Sequence, residues 1–438
     1  MSNATESLKR SLGPLMLWGL GVGYVISGMY FGWNLGLPEG GTGGLAIATV
    51  LVSIMYLCFT FSYTELACAI PKAGGAFDYA NRALGTEWGF IGGMAQNIEF
   101  IFAPPAIAFA IGAYLGPFIP SIPEIYIAIA AYLIFTGLNI YGVEAAASFE
   151  LLITIIAIIG LLLFAGVSLP NFEASAFSAN AWPNGMNGIF LAFPFAIWFY
   201  LAIEGVANVA EETINPQRNV LIGFGSAIFT LLLLCILTFL SSVGVNGWET
   251  AVYAAGTTAA SDAPLPLVMS YLMGEGHILV SVISIIGLFG LVASFHGIIL
   301  AAGRASYEFG KAGLAPKLLG KILPKRQTPA NALIFNMIIG IIALLTGRTA
   351  DIITIACMGA LSMYLISLVS LFVLRRREPE LERPFKVPAF PILPAIAFVI
   401  ALVAMVAIVY FNLKLAGIYF GIMLISWILY RVLIHKKN

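Results

Sequence analysis

Charged residues are scarce in this chain. Lysine and arginine number 21, aspartate and glutamate also number 21, and together they make up only 10% of 438 residues, against 60% hydrophobic residues. A soluble protein of this length could not cover its surface with so few charges, so the composition excludes that class and predicts a multi-span membrane protein. The net charge of zero also argues against a nucleic-acid partner.

Cysteine and histidine are rare as well. The cysteines lie in apolar segments without paired spacing, which indicates small packing residues rather than disulfides or metal ligands. The sequence shows no clustered nucleophile or metal-ligand set, so we predict a protein that is not an enzyme and needs no cofactor or metal. An enzyme acting on lipid headgroups is a distant alternative. The four cysteines are Cys58, Cys68, Cys235 and Cys357.

Long apolar runs predict an all-α membrane protein. A helix needs about 20 apolar residues to cross the hydrocarbon core, and a spanning segment must be helical because lipid offers the backbone no hydrogen-bond partner. The sequence contains twelve such runs, at about 13–35, 43–70, 88–115, 124–142, 149–169, 187–210, 220–244, 277–303, 329–347, 351–374, 391–411 and 416–434.

The basic residues predict the orientation of these spans. If both termini are cytoplasmic, every lysine and arginine except Arg348 and Lys414 falls on the inside, as expected for a protein of the inner or plasma membrane. The outside loops 170–186 and 245–276 then contain acidic residues but no lysine or arginine. These acids either attract cations or are simply solvated.

Glu204 is an acidic residue within the apolar sixth span. An ionisable group at membrane depth costs about 2.5–3.5 kcal/mol and usually marks a substrate or proton path. The neighbouring rings of Trp198, Phe199 and Tyr200 are suited to a small organic cation, at ~0.5–2 kcal/mol per ring. Alternatively, Glu204 is protonated and hydrogen-bonds a neighbouring helix.

The first and sixth spans both contain residues that disturb a helix. The first span is rich in glycine, and the sixth has Pro194 near its start and Gly205 past its middle. Interrupted helices in corresponding halves of a chain indicate the central site of a transporter. The glycines also have the spacing that lets helices pack closely, and the two roles can coexist.

Three motifs resemble the amino acid–polyamine–organocation permease superfamily: Tyr63–Leu66 with Ile70–Tyr79, then Val209–Asn219, then Glu382–Pro388. The resemblance implies a LeuT-like five-plus-five inverted repeat with broken helices 1 and 6. It also implies a substrate site between helices 1, 3, 6 and 8. The expected divisions are a transport core at 1–390, with repeats at about 13–169 and 187–374, and a unit at 391–438 containing helices 11 and 12 and a short cytoplasmic tail.

The chain departs from the superfamily pattern at the break in helix 1. Where relatives have Gly-Ser-Gly, this chain has Ser27, Gly28 and Met29, and a methionine crowds the backbone approach that a substrate carboxylate needs. The departure favours a substrate that has an amine but lacks a carboxylate. Exposed carbonyls of Val25 and Ile26 are expected to join Glu204 around its ammonium group.

Helices 3 and 8 narrow the resemblance to the ethanolamine permease branch. Asn97 and Glu99 lie in helix 3 and His296 in helix 8. Glu99 is a second cation ligand, a proton carrier or a structural hydrogen-bond acceptor. His296 carries the coupled proton, donates to a substrate hydroxyl or simply packs in the core. Asn97 is a further candidate for the hydroxyl.

We therefore predict a secondary transporter that imports ethanolamine or a similar small amino alcohol or amine by alternating access. The main alternative is a permease for a small zwitterionic amino acid. The expected partners are a small cationic amine and the lipid bilayer, and the expected state is a monomer or weak homo-oligomer. Some relatives place in helix 5 a lysine that replaces sodium, and the matching residue is Ala157. The coupling ion, proton or sodium, is left open.

Overall fold

The computed structural model describes residues 11–142 and 146–434. Across these two ranges every named element is a helix, and the only β contacts are two isolated bridges. Nine helices of the described residues are long and apolar enough to cross a membrane. An all-helical membrane fold is therefore confirmed.

The first part of the chain forms seven α-helices. A short 3₁₀ segment at Trp33–Gly36 connects the second helix to the third. The helices are α1 Pro14–Val25, α2 Ser27–Tyr30, α3 Leu37–Ala69, α4 Ala76–Leu84, α5 Thr86–Leu115, α6 Glu124–Tyr141 and α7 Ala146–Ser168.

The second part forms ten more α-helices, and a 3₁₀ segment at Ile203–Glu212 follows the third of them. The helices are α8 Ala174–Ser178, α9 Asn187–Leu191, α10 Phe193–Trp198, α11 Pro216–Val243, α12 Pro264–Met273, α13 Ile278–Lys311, α14 Ala330–Leu344, α15 Thr349–Arg377, α16 Ile392–Phe411 and α17 Leu413–Leu429.

Each of the twelve predicted segments contains helix, but three of them lack a single long helix. The first is divided into α1 and α2, the sixth into α9, α10 and a 3₁₀ segment, and the ninth holds only the short α14. Twelve crossings, the inverted repeat and the division at residue 390 stay predictions. Residues 1–10 and 435–438, on which the cytoplasmic position of the termini depends, lie outside the described residues.

Helices α5 and α15 form the interior of the bundle. In their most apolar stretches, 78% and 83% of the residues are buried, whereas the corresponding figure for the stretch containing α17 is 22%. Helix α5 packs against α15, α13, α6 and α14. A polar side chain on the α5–α15 face is therefore enclosed by protein and not by lipid.

A buried ion pair joins two of the sequence motifs. Glu65 of α3 accepts hydrogen bonds from Arg375 of α15 at 2.6 Å and from the backbone N–H of Val387 at 2.7 Å. The guanidinium of Arg383 lies 3.3 Å from the same carboxylate. These residues explain why the first and third motifs carry an acid and a base, because the two side chains meet in the fold.

Candidate functional site

Helix 1 is interrupted by a side chain from α13. In a continuous α-helix the N–H of Ser27 would bond to the carbonyl of Gly23. Instead, the Ser294 hydroxyl donates to Gly23 O at 2.6 Å and accepts from Ser27 N at 2.9 Å. A side chain inserted into the hydrogen-bond ladder is a known cause of helix bending. The expected interruption is present, and the residue that makes it was not predicted from the sequence.

The structure modifies the expected role of the helix 1 carbonyls. Ile26 keeps helical angles (φ −60°, ψ −23°), and its carbonyl accepts the N–H of Met29 at 3.0 Å. The Ile26 carbonyl is therefore already engaged within a helical turn, and its contact with a substrate ammonium group stays a prediction. Val25 and Met29 are both fully buried beside the interruption.

Gly28 brings helix 1 against helix 6. A methyl group placed on Gly28 would collide with the carbonyl oxygen of Trp198. The Trp198 indole N–H donates to Phe31 O at 3.1 Å, and the two rings pack edge to face at 5.4 Å. A glycine at position 28 is what permits this backbone approach, so the interrupted parts of helices 1 and 6 lie in direct contact.

Helix 6 is broken between Trp198 and Ile203. Residues 199–202 form turns, and Ala202 adopts a left-handed conformation with φ of 74°. The sequence pointed to Gly205 as the irregular residue, but Gly205 is in the 3₁₀ segment. A methyl group there would lie 2.8 Å from the ring of Tyr24, so this glycine serves close packing.

Glu204 follows the break, and its carboxyl group meets that of Glu99 on α5. Both side chains are fully buried, and the two carboxyl groups are close enough to interact electrostatically. Among the described residues, neither oxygen of Glu99 nor Oε1 of Glu204 has a hydrogen-bond partner of ordinary geometry. A carboxylate only accepts hydrogen bonds, so one of the pair must carry a proton for them to share one. Within the described part of the chain, no lysine, arginine or histidine forms an ion pair with either group.

A chain of tyrosine hydroxyls positions Glu204. Tyr364 of α15 donates to Glu204 Oε2 at 3.0 Å, and its hydroxyl lies 3.0 Å from that of Tyr56 on α3. The ring of Tyr56 packs at 5.1 Å against Tyr200, and Phe59 packs at 4.2 Å against Tyr364. The carboxyl pair therefore lies beside aromatic rings, an environment suited to an ammonium group.

Gly359 allows α15 to approach the carboxyl pair. A methyl group on Gly359 would lie 2.8 Å from both Ala95 O and Glu99 N of α5. Sequence reasoning missed Gly359 and Tyr364, because a glycine and a tyrosine in an apolar span are common. Their position in the tenth span, outside the helices that the resemblance implicated, also gave no signal.

The three aromatic residues predicted on helix 6 contact different neighbours. Trp198 is directed at helix 1, as described above. Phe199 stacks on Trp33 at 5.6 Å, and the Tyr200 hydroxyl lies 2.6 Å from that of Ser53. Of the three, Tyr200 is joined to the carboxyl pair through Tyr56 and Tyr364.

Asn97 belongs to a different face of α5. Its side-chain N–H donates to Gly93 O at 2.8 Å, and its Oδ1 accepts from Ser306 of α13 at 2.7 Å. Residues two apart on an α-helix point in nearly opposite directions, so Asn97 and Glu99 cannot share one pocket. The predicted hydroxyl ligand Asn97 is instead part of the α5–α13 interface.

His296 also pairs away from Glu204. Its Nδ1 lies 3.6 Å from Glu150 Oε2 of α7, and its ring packs against Phe135 of α6 at 6.2 Å. The sequence analysis missed Glu150, although an acid two residues inside the fifth apolar run was the available signal. Among the described residues, Glu99–Glu204 and Glu150–His296 are thus two separate buried pairs.

Comparison with known proteins identifies the family. The amino acid permease family model matches residues 12–433. The chain is 27% identical to the branched-chain amino acid permease of Bacillus subtilis, covering 92% of this chain and 88% of the relative. It is 26% identical to the methylthioribose transporter of that organism, covering 90% and 87%. It is also 26% identical to the serine/threonine exchanger of that organism, covering 91% and 90%. The chain therefore belongs to the amino acid permease family of the amino acid–polyamine–organocation superfamily, and is a multi-pass membrane transport protein.

Proposed function

We propose that the protein is a secondary transporter that moves a small zwitterionic amino acid across the membrane by alternating access. The observation that carries the proposal is the buried pair Glu99–Glu204 beside the break in helix 6. Two carboxyl groups that have no cation from the described residues form a site for a substrate ammonium group.

The electrostatics of the pair favour a positively charged group. When the two carboxyls share one proton, the pair has a net charge of −1 in an apolar region, where a charge needs a counter-charge or several hydrogen bonds. Tyr364 supplies one hydrogen bond to Glu204. An ammonium group would supply further charge-assisted hydrogen bonds, which are about twice as strong as neutral ones.

The relatives favour an amino acid as the cargo. Met29 at the break in helix 1 favoured an amine without a carboxylate as the substrate. Two of the similar proteins, however, are a branched-chain amino acid permease and a serine/threonine exchanger. Both kinds of cargo have the ammonium group that the carboxyl pair would bind. The family membership makes the amino acid the first candidate.

Ethanolamine or a similar amino alcohol is the second candidate. Met29 is fully buried at the position where superfamily relatives have glycine, next to the contact of Gly28 with Trp198. Its side chain occupies space that a substrate carboxylate would need to reach the helix 1 backbone. This one observation favours an amine that lacks a carboxylate.

Burial of the pair supports alternating access. Glu99 and Glu204 are both shielded completely from solvent, so a substrate reaches them only when the surrounding helices move. The short elements α2 and α10 are the natural moving parts, because each is bounded by an interruption. We further propose uptake into the cell through the inner or plasma membrane, with both termini cytoplasmic.

A substrate panel tests the proposal. The protein is reconstituted in liposomes, and uptake of radiolabelled L-serine, L-leucine and ethanolamine is measured separately, each against the other two as competitors. We expect the protein to take up at least one of the two amino acids, and we expect ethanolamine to inhibit that uptake only weakly. Ethanolamine uptake that neither amino acid reduces would establish the second candidate instead. If none of the three is taken up or raises the melting temperature, the carboxyl pair is not an ammonium site for this class.

The same assay tests the carboxyl pair. Glu204→Gln removes the charge and keeps the shape, and loss of one charge-assisted hydrogen bond of about 1.5–3 kcal/mol should lower uptake roughly 10- to 100-fold. Glu173→Gln, at an exposed loop position, is the matched control and should transport normally. Normal uptake by Glu204→Gln would overturn the assignment.

A further inference from the structure

We infer that Glu150 and His296 form a proton-binding site that couples a proton gradient to the movement of helix 1. This inference rests on the proposed transport function and concerns residues outside the Glu99–Glu204 pair. The juxtaposition behind it is a buried carboxyl–imidazole pair placed directly against the interrupted part of helix 1.

The pair is buried and poorly satisfied. The side chain of Glu150 is 2% exposed and that of His296 is 12% exposed. Neither oxygen of Glu150, nor Nδ1 of His296, has a hydrogen-bond partner of ordinary geometry, and the two groups face each other at 3.6 Å. A purely structural ion pair at this depth is usually compensated by further donors, as Glu65 is.

The proton count of the pair changes its net charge. With one proton the pair is neutral, either as carboxylate and imidazolium or as carboxylic acid and imidazole. Loss of that proton leaves a carboxylate beside a neutral imidazole, with a net charge of −1 in apolar surroundings. Both groups can bind and release a proton, so the pair can take up a proton on one side of the membrane and release it on the other.

The carboxylate lies against the C-terminal turn of α1. A methyl group on Gly23 would lie 2.6 Å from Glu150 Oε1 and 2.7 Å from Thr154 Oγ1. The C-terminal end of a helix has a partial negative charge, which repels a carboxylate. Helix α1 should therefore pack more favourably against a protonated pair than against a deprotonated one.

The break in helix 1 is connected to the same site. Gly23, which contacts Glu150, is the residue whose carbonyl accepts the Ser294 hydroxyl, and Ser294 precedes His296 by two residues on α13. A shift of α1 away from Glu150 would strain the inserted hydroxyl between Gly23 and Ser27. Proton release and opening of the helix 1 break are thus linked through one glycine.

The other titratable groups around the pair are few. Among the described residues, those that act electrostatically on Glu150 are His296 on α13 and Tyr24 on α1. Tyr24 in turn faces the Arg304–Glu212 ion pair, whose atoms lie 2.9 Å apart. Glu212 already has the Arg304 guanidinium as its counter-charge, so we expect an incoming proton to bind at Glu150–His296 and not at Glu212.

Two transport modes separate this inference from the proposed function. Liposomes loaded with unlabelled substrate exchange it for labelled substrate without a proton gradient, which reports binding and alternation alone. Empty liposomes, at about pH 7.5 inside and about pH 6 outside, accumulate label only if transport is coupled to protons. L-serine and ethanolamine serve as the labelled probes in parallel arms.

We expect the wild type to exchange label and also to accumulate it, while a pH-sensitive dye trapped inside the liposomes reports acidification of the interior. Glu150→Gln should lose accumulation and dye response while exchange persists, and His296→Gln should do the same. Glu173→Gln is the control for handling and reconstitution. A wild type that exchanges but never accumulates under the gradient, or a Glu150→Gln protein that accumulates normally, would overturn the inference.

Two further outcomes have a defined meaning. A wild type that exchanges neither probe contradicts the proposed function itself and not the proton site. If Glu150→Gln fails to fold, as size-exclusion chromatography would show, the decision passes to His296→Gln and to the wild-type dye signal. If the His296→Gln protein then accumulates label at the wild-type level, the pair has no role in proton coupling.

Discussion

Two buried carboxyl groups of this protein have opposite surroundings. Glu65 is matched by two arginines and a backbone N–H, whereas among the described residues neither oxygen of Glu99 has a hydrogen-bond partner of ordinary geometry. Both side chains are at most 1% exposed. The first group is therefore part of a structural ion pair, whereas the second has no cation from the described residues, as the proposed ammonium site requires.

The largest expected effect is on the structural side of this comparison. Glu65→Gln leaves Arg383, whose side chain is 4% exposed, without its carboxylate. Breaking a buried ion pair by removing one partner costs about 3–5 kcal/mol, because the remaining charge stays uncompensated. We expect a large fall in melting temperature of the purified protein. An unchanged melting temperature would place Glu65 in the same class as Glu99.

Glu99→Gln should show the reverse pattern. Removing a carboxyl group that lacks a cation should change the free energy of unfolding by less than about 1 kcal/mol, while lost ammonium contacts lower uptake about tenfold or more. Thermal unfolding and liposome uptake of the same preparation measure both. A large loss of stability with normal uptake would show that Glu99 is structural after all.

Sequence reasoning recovered the fold better than the site, for a physical reason. Hydrophobic runs report burial in lipid directly, so α3, α5 and α13 lie where the apolar pattern placed them. Glu204 was found because a charge among apolar residues is conspicuous. The contact of Asn97 with Ser306 of α13 was not predicted, because an apolar span does not reveal which face of a helix meets which neighbour.

The missed residues share one property. Tyr364, Ser294 and Gly359 act through contacts with residues far away in the sequence, such as Tyr364 with Glu204 and Ser294 with Gly23. Each residue type is ordinary inside a membrane span, so no local pattern distinguishes it. Only the packing of α13 and α15 against the broken helices gives them a role.

Gly359→Ala tests how closely α15 must approach the buried Glu99–Glu204 pair. The added methyl group would lie 2.8 Å from the α5 backbone on two atoms, so the helices must separate, at about 1–3 kcal/mol. Gly421→Ala in α17 is the control, since no atom outside its own stretch of helix lies within 4 Å of where the added methyl group would be. Alanine should stabilise that helix by up to about 1 kcal/mol. Equal melting temperatures for the two variants would contradict the close α5–α15 contact.

Tyr364→Phe should have a smaller effect. The substitution keeps the ring but removes the hydrogen bond to Glu204, which should lower the free energy of unfolding by about 1 kcal/mol. The apparent affinity for substrate should fall a fewfold, because Glu204 is held less firmly. Tyr419→Phe removes a hydroxyl that donates to Ser362 at 2.7 Å and not to Glu204, and should leave uptake unchanged. If both variants lower uptake alike, the Tyr364 hydroxyl has no special part in holding Glu204.

The smallest effect concerns a third carboxyl group, intermediate between Glu65 and Glu99. Asp262 lies in the loop before α12 and accepts a hydrogen bond from Thr349 at the start of α15, at 3.0 Å.

Burial raises the pKa of Asp262 to about 7 from an ordinary value of 3.8. The folded state therefore holds this proton more tightly than the unfolded state, so the contribution to stability is greatest below about pH 4 and falls as the pH rises to about 7. We expect the melting temperature of Asp262→Asn to change less with pH than that of the wild type across this window. The difference should be small because the Asp262 side chain is partly exposed and solvent screens its charge. Parallel melting curves at every pH would show that Asp262 is as well satisfied as Glu65.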